Sequence, residues 1–119
     1  MVNDAWNANP VSVRAALVHL VALADGRRTI AVLGEMAELG DYTDEGHAEV
    51  GRAVRELGID EVVAIGPHAR VYGGHWVASR DEALAVLEGL LQPGDCVLVK
   101  GARVLGLEHI ADALTSVRA

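Results

Sequence analysis

The sequence predicts an α/β fold, a three-layer Rossmann-like domain with a mainly parallel sheet and helices on both faces. Three apolar runs rich in β-branched residues, 29–33, 61–65 and 96–99, each lead into a glycine: Gly34, Gly66 and Gly101. Between them lie segments whose apolar residues recur at helical spacing. Buried strands alternating with amphipathic helices are the pattern of right-handed βαβ units, in which both faces of the sheet are covered.

The elements follow in order. Val13, Ala16, Leu17, Leu20, Val21 and Ala24 share one face of a first helix over 13–24. Asn9 is its expected N-cap, Pro10 its first helical residue and Gly26 its stop signal, since proline suits a helix start and glycine a helix end. Thr29 to Leu33 reads as a buried strand ending at Gly34. After a polar loop, Thr43 or Asp44 is expected to cap a helix running to about Leu57, with Gly58 as its C-cap. Glu61 to Ile65 is the second strand. Pro67 to Gly74 ends in two glycines and leaves room for one helical turn, and His75-Trp76-Val77 is a weak strand. Ser79 and Glu82 have capping-box spacing before a helix with Leu84, Leu87 and Leu91 on one side. Pro93-Gly94-Asp95 is a turn, and Cys96 to Val99 is the third clear strand. A last helix is expected from Gly106 or Leu107 to Val117.

The 119 residues are read as a single domain over 1–119, with no repeat or internal boundary. Apolar residues make up 51%, yet Phe is absent, so core volume has to come from aliphatic side chains. A net charge of −7 argues against nucleic acid or an anionic membrane as partner, because both call for a basic surface. The one cysteine, Cys96, allows no internal disulfide and sits in an apolar strand. No apolar run is long enough to span a bilayer, and no signal-peptide pattern opens the chain, which fits a cytoplasmic protein. A Met directly ahead of Val2-Asn3 reads as the start of an excised piece.

In open parallel sheets, ligands bind beyond the carboxyl ends of the strands. The loops there carry Glu35 and Glu38, then His68 and Arg70, then Lys100 and Arg103. The plainer reading gives the glycines the role of turn formers and leaves Lys100 and Arg103 as solvated charges at a strand end. Neither G-x-G-x-x-G nor G-x-x-x-x-G-K-(S/T) occurs, so there is no dinucleotide fingerprint and no independent phosphate cradle. An auxiliary domain fits better than a complete enzyme. His47 shares a helical face with Val50, Gly51 and Val54, the usual setting of a half-buried, satisfied histidine. His47, His68, His75 and His109 lack the pairwise spacing of metal ligands, and no metal site is expected.

Ahead of the first helix, Asp4-Ala5-Trp6-Asn7-Ala8-Asn9-Pro10 packs three short polar side chains around an aromatic. One such residue suffices to cap a helix; three invite a ligand as well. This stretch, Gly34-Glu35-Met36-Ala37-Glu38-Leu39-Gly40 followed by His47, and Val97-Leu98-Val99-Lys100-Gly101-Ala102-Arg103 followed by Glu108 resemble, in order, three motifs of one family. They are similar to the third, C-terminal domain of the MurF branch of the Mur ligases. Trp6 stands where the family commonly has Tyr, and Ala102 where it commonly has Ser.

The resemblance implies an ATP-dependent amide-forming ligase of peptidoglycan synthesis that adds D-Ala-D-Ala to UDP-MurNAc-tripeptide through an acyl phosphate. It implies ATP contacts from Asp4 (ribose hydroxyls), Asn7 (near the terminal phosphate) and Asn9, which is also the expected helix cap. Glu38, Gly66, Lys100 and Arg103 are the implied substrate contacts, with Arg103 pairing the dipeptide carboxylate in the bidentate geometry of a guanidinium. Mg²⁺ would be held mainly by a central ATPase domain. That domain and an N-terminal domain would be partners in the same monomeric polypeptide, and the isolated chain is expected to be inactive. Two alternatives of other classes stay open on sequence: a free-standing, non-catalytic binding module for a small or nucleotide ligand, and a scaffold that has lost its ligand contacts.

Overall fold

A computed structural model describes residues 9–36 and 39–100, together with the backbone of 2–4. Along them run β1 (Val2–Asp4), α1 (Pro10–Ala24), β2 (Thr29–Gly34), α2 (Thr43–Leu57), β3 (Glu61–Ile65), β4 (His75–Val77), α3 (Arg80–Leu90) and β5 (Cys96–Lys100). Short 3₁₀ helices, Gly40–Tyr42 and Pro67–Tyr72, lead into α2 and β4. The strands form one sheet of order β1-β5-β2-β3-β4 in which every pairing is parallel.

Alternation along the strands decides which layer each side chain joins. Ala31, Leu33, Val62, Ala64, Cys96 and Leu98 cluster with Leu17 and Leu20 of α1 and with Val50 and Val54 of α2. Their neighbours Ile30, Val32, Val63, Ile65, Val97 and Val99 cluster with Ala83 and Leu87 of α3. Chain direction explains the split. The path β1 to β4 advances one way across the sheet and β4 to β5 returns, so right-handed crossovers set α3 opposite α1 and α2. The three-layer expectation therefore holds.

Several local expectations are corrected. Val2–Asp4 is a strand, too short to show periodicity in sequence, and its parallel partner Leu98–Lys100 supplies the order. Asn9 does cap α1, accepting from the Ser12 N–H at 2.9 Å while its own N–H donates to Ser12 Oγ at 3.1 Å. The left-handed C-cap is Asp25 (φ 49°), one residue before Gly26. Val21 lies off the buried face of α1 and is 37% exposed. Helix α2 begins at Thr43, whose hydroxyl donates to the Gly40 carbonyl at 2.7 Å, and neither Thr43 nor Asp44 caps it. Its acidic first turn, Asp44 and Glu45, and the Arg55 of its last turn suit the helix dipole instead. Ser79 caps α3, but the Glu82 carboxylate accepts from Ala78, one residue short of a closed capping box. Residues 67–72 form a longer 3₁₀ helix than the single turn expected. The expected helix ending at Val117 falls outside the described residues.

Candidate functional site

The carboxyl ends of the strands form one edge of the sheet, and the loop after β2 begins there. Gly34, which ends β2, and the two residues that follow it are each tied to another element. The Gly34 carbonyl accepts from the Tyr72 hydroxyl at 3.1 Å. The Glu35 N–H donates to the Ile65 carbonyl at 3.1 Å, and the Glu35 carboxylate accepts from the His68 N–H at 2.9 Å. The Met36 N–H donates to His47 Nε2 at 2.9 Å.

These partners come from α2 and from the 3₁₀ helix Pro67–Tyr72, which pack together because of Gly51. A Cβ at Gly51 would strike the Val71 backbone carbonyl, so only glycine permits this approach. His47 lies on the buried face with Val50, Gly51 and Val54, as its spacing predicts, but it is fully rather than half buried, at 1% exposure. Since the Met36 N–H can only donate, Nε2 accepts; the ring hydrogen is then on Nδ1, aimed at the Thr43 carbonyl 2.5 Å away. The imidazole is flanked by the rings of His68 and Tyr72, with centroids 5.3 Å and 5.9 Å away. Burial, with the nearby Glu35 charge added to it, holds the Tyr72 phenol well above its ordinary pKa of 10.0. Tyr72 therefore serves as a donor over the whole neutral range.

Gly66 sits at the next strand end with φ 102° and ψ 160°, a conformation open essentially to glycine alone. Its N–H donates to the Val77 carbonyl at 3.1 Å, and its carbonyl accepts from the Ala69 N–H at 3.0 Å and Trp76 Nε1–H at 2.7 Å. Both polar groups of Gly66 are thus engaged within the chain. The Arg70 guanidinium lies 3.7 Å from the Trp76 ring centroid, a cation–π contact.

At the other side of the edge, Lys100 ends β5, in register with Asp4 of β1 and Leu33 of β2. Lys100 is 1% exposed, which overturns the reading of it as a solvated strand-end charge. A charge at that depth needs partners, so its position is fixed by its surroundings. The fold thus brings Asp4 beside Lys100 and Glu35 beside Gly66, along one edge. Asn9 is set back at the start of α1, with its side-chain carbonyl given to the cap. Asn7, Glu38 and Arg103 fall outside the described residues. Sequence reasoning missed Tyr72 and Trp76, whose role as donors to strand-end carbonyls depends on contacts between elements and leaves no local signal.

Comparison with known proteins agrees with these motifs. Residues 1–103 match the family described as Mur ligase, glutamate ligase domain. The chain is 38% identical to a UDP-N-acetylmuramoyl-tripeptide–D-alanyl-D-alanine ligase of Mycobacterium tuberculosis, over 98% of this chain and 28% of that protein. It is 33% identical to the protein of the same name in Escherichia coli, over 96% of this chain and 26% of that protein. A crystal structure of MurF from Acinetobacter baumannii superposes with a TM-score of 0.81 at 30% identity, covering 94% of this chain and 27% of that one. The chain spans about a quarter of the length of these relatives. Among the described residues, no helix is long and apolar enough to cross a membrane. By its three motifs, its all-parallel sheet and these matches, the chain belongs to the Mur ligase family, as its glutamate ligase domain.

Proposed function

We propose that this chain is the C-terminal domain of an ATP-dependent ligase that joins D-Ala-D-Ala to UDP-MurNAc-tripeptide in peptidoglycan synthesis. What carries the reading is the register of Asp4 with Lys100, which sets two of the family-like motifs side by side at the carboxyl edge of the sheet. The names of the matched relatives supply the two substrates that are joined, and the family resemblance implies ATP and an acyl phosphate. In this reaction, the tripeptide carboxylate takes the terminal phosphoryl group of ATP, releasing ADP. The dipeptide amine then attacks the acyl carbon, and the tetrahedral adduct collapses to the amide with loss of phosphate and a proton.

The part given to this domain is binding and closure. Asp4 would accept from the ribose hydroxyls, with Asn7 near the terminal phosphate and Asn9 behind it at the helix start. Arg103 would hold the dipeptide carboxylate, with Glu38, Gly66 and Lys100 shaping the rest of that subsite. Closure of the domain over the central ATPase domain would exclude water from the labile acyl phosphate. Mg²⁺ would be held mainly by the central domain, as the family resemblance implies. The working protein is a cytoplasmic monomer in this reading, and a free-standing binding module is the poorer alternative because the matched relatives are ligases.

The test is phosphate release by the intact polypeptide with ATP, UDP-MurNAc-tripeptide and D-Ala-D-Ala. Asp4→Ala should raise KM for ATP and Arg103→Ala should raise KM for the dipeptide, each by about tenfold or more, the scale of a lost charge-assisted bond. Turnover untouched by both substitutions would refute the site. Release that ignores the dipeptide would refute the reaction.

A further inference from the structure

The loop that leaves β2 is held more firmly than packing of its neighbours requires. Three successive residues, Gly34, Glu35 and Met36, are bonded to Tyr72, to Ile65 and His68, and to His47. The groups that hold it belong to α2, β3 and the 3₁₀ helix Pro67–Tyr72, and the rings of His68 and Tyr72 both lie against that of His47. Met36 is 4% exposed, so its N–H has no water to turn to if the imidazole is removed. Glu35 in turn lies against Gly66, an implied substrate contact: a Cβ on Gly66 would meet the Glu35 carboxyl carbon at 2.9 Å.

We infer that His47 is a positioning residue for the dipeptide subsite: its imidazole, buttressed by Tyr72, fixes the backbone of residues 34–36 and with it the place of Glu35 beside Gly66. The inference rests on the ligase reading above. It assigns His47 no contact with substrate. The geometry explains why a histidine stands on an otherwise apolar helix face. Nδ1–H satisfies the Thr43 carbonyl of its own helix, which leaves Nε2 aimed outward as an acceptor for the loop.

The experiment compares His47→Leu, His47→Gln and Tyr72→Phe in the intact polypeptide, with two readouts. The first is hydrogen exchange at the Met36 amide. His47→Leu should accelerate it by about tenfold or more, because a buried donor loses its acceptor. His47→Gln can place an amide oxygen near the former Nε2 position and should stay within about twofold of wild type, the rescue that plain loss of packing would not give. The second readout is the kinetic split. His47→Leu should raise KM for D-Ala-D-Ala by about tenfold and leave KM for ATP within about twofold. Tyr72→Phe should move the dipeptide KM the same way by a smaller factor, since only the Gly34 carbonyl is released.

A folded His47→Leu protein with unchanged Met36 exchange would overturn the lock. Faster exchange with an unchanged dipeptide KM would overturn its service to the site. If His47→Leu does not fold, Tyr72→Phe carries the kinetic comparison: a dipeptide KM that it leaves unmoved would overturn the proposal. A wild-type polypeptide without dipeptide-dependent phosphate release would overturn the ligase reading separately, and the subsite role of His47 with it.

Discussion

Gly66→Ala should separate backbone strain from side-chain crowding at the β3 strand end. An alanine there must hold φ near 102° and ψ near 160°, which costs about 1–3 kcal/mol for a residue with a Cβ. The new methyl carbon would also lie 2.9 Å from Glu35 Cδ and 3.1 Å from Cγ and Oε2. Glu35 can swing away, but only by giving up its 2.9 Å bond from the His68 N–H. A charge-assisted bond contributes about 1.5–3 kcal/mol when buried, and this one is exposed, so about 1 kcal/mol is the reasonable scale. Gly66→Ala should therefore cost about 2–4 kcal/mol in total. In a Glu35→Ala background the crowding is gone and only the strain remains. The double mutant cycle, read by urea unfolding, should give a coupling of about 1 kcal/mol. Costs that simply add, within the ~0.3–0.5 kcal/mol scatter of independent sites, would show that the carboxylate does not rest on Gly66. A neutral Gly66→Ala would refute the strained backbone itself.

Other expectations are more direct. Tyr72 has its phenol pKa raised on folding, so the folded state holds that proton more tightly than the unfolded chain does. Its contribution is complete below the unfolded value near 10 and is lost as pH rises above it, by up to about 1.4 kcal/mol per pH unit. Urea midpoints between pH 8 and 11 should fall more steeply for wild type than for Tyr72→Phe, and equal slopes would refute the assignment. Asn9→Ala removes the side-chain cap of α1 and should destabilise by about 1 kcal/mol, whereas a loss under ~0.3 kcal/mol would mean the cap does not form in solution. Leu17 is fully buried between α1 and the sheet, and Leu17→Ala should cost about 2–5 kcal/mol by thermal unfolding. A smaller loss would mean that α1 does not seat on the β2–β5 face.

The layers were legible because the three central strands, β2, β3 and β5, are apolar along most of their length. A strand such as Thr29–Gly34, buried at every position, demands cover on both faces, and the helical segments between strands provide it. Val2–Asp4 escaped because three residues carry no period and owe their order to β5, nearly a hundred residues away in the chain. Capping was read well where one residue decides it, as at Asn9 and Gly58, and poorly where a preceding 3₁₀ turn supplies the start, as at Thr43. The candidate site was legible as motifs and illegible as chemistry. Nothing local distinguishes a solvated Lys100 from a buried one, because its depth is set by the strands on either side.

His47 shows how far the plain reading of such a residue reaches. A histidine among Val50, Gly51 and Val54 is expected to be half-buried with its nitrogens satisfied; His47 is fully buried, and both nitrogens are bonded. Satisfaction alone would be met within α2, however, and the Nδ1 bond to Thr43 is of that kind. The Nε2 bond is different, since its partner is the backbone of a loop that belongs to β2 and leads into the Gly34–Gly40 motif. An apolar side chain in place of the ring would fill the same volume and leave the Met36 N–H buried without an acceptor, at about 1–3 kcal/mol. That loss would fall on the loop and not on the helix. The helix therefore gains little from this imidazole that leucine would not also give, and the loop gains its fixed start. A residue whose absence is felt mainly by a neighbouring motif is there for what the motif does.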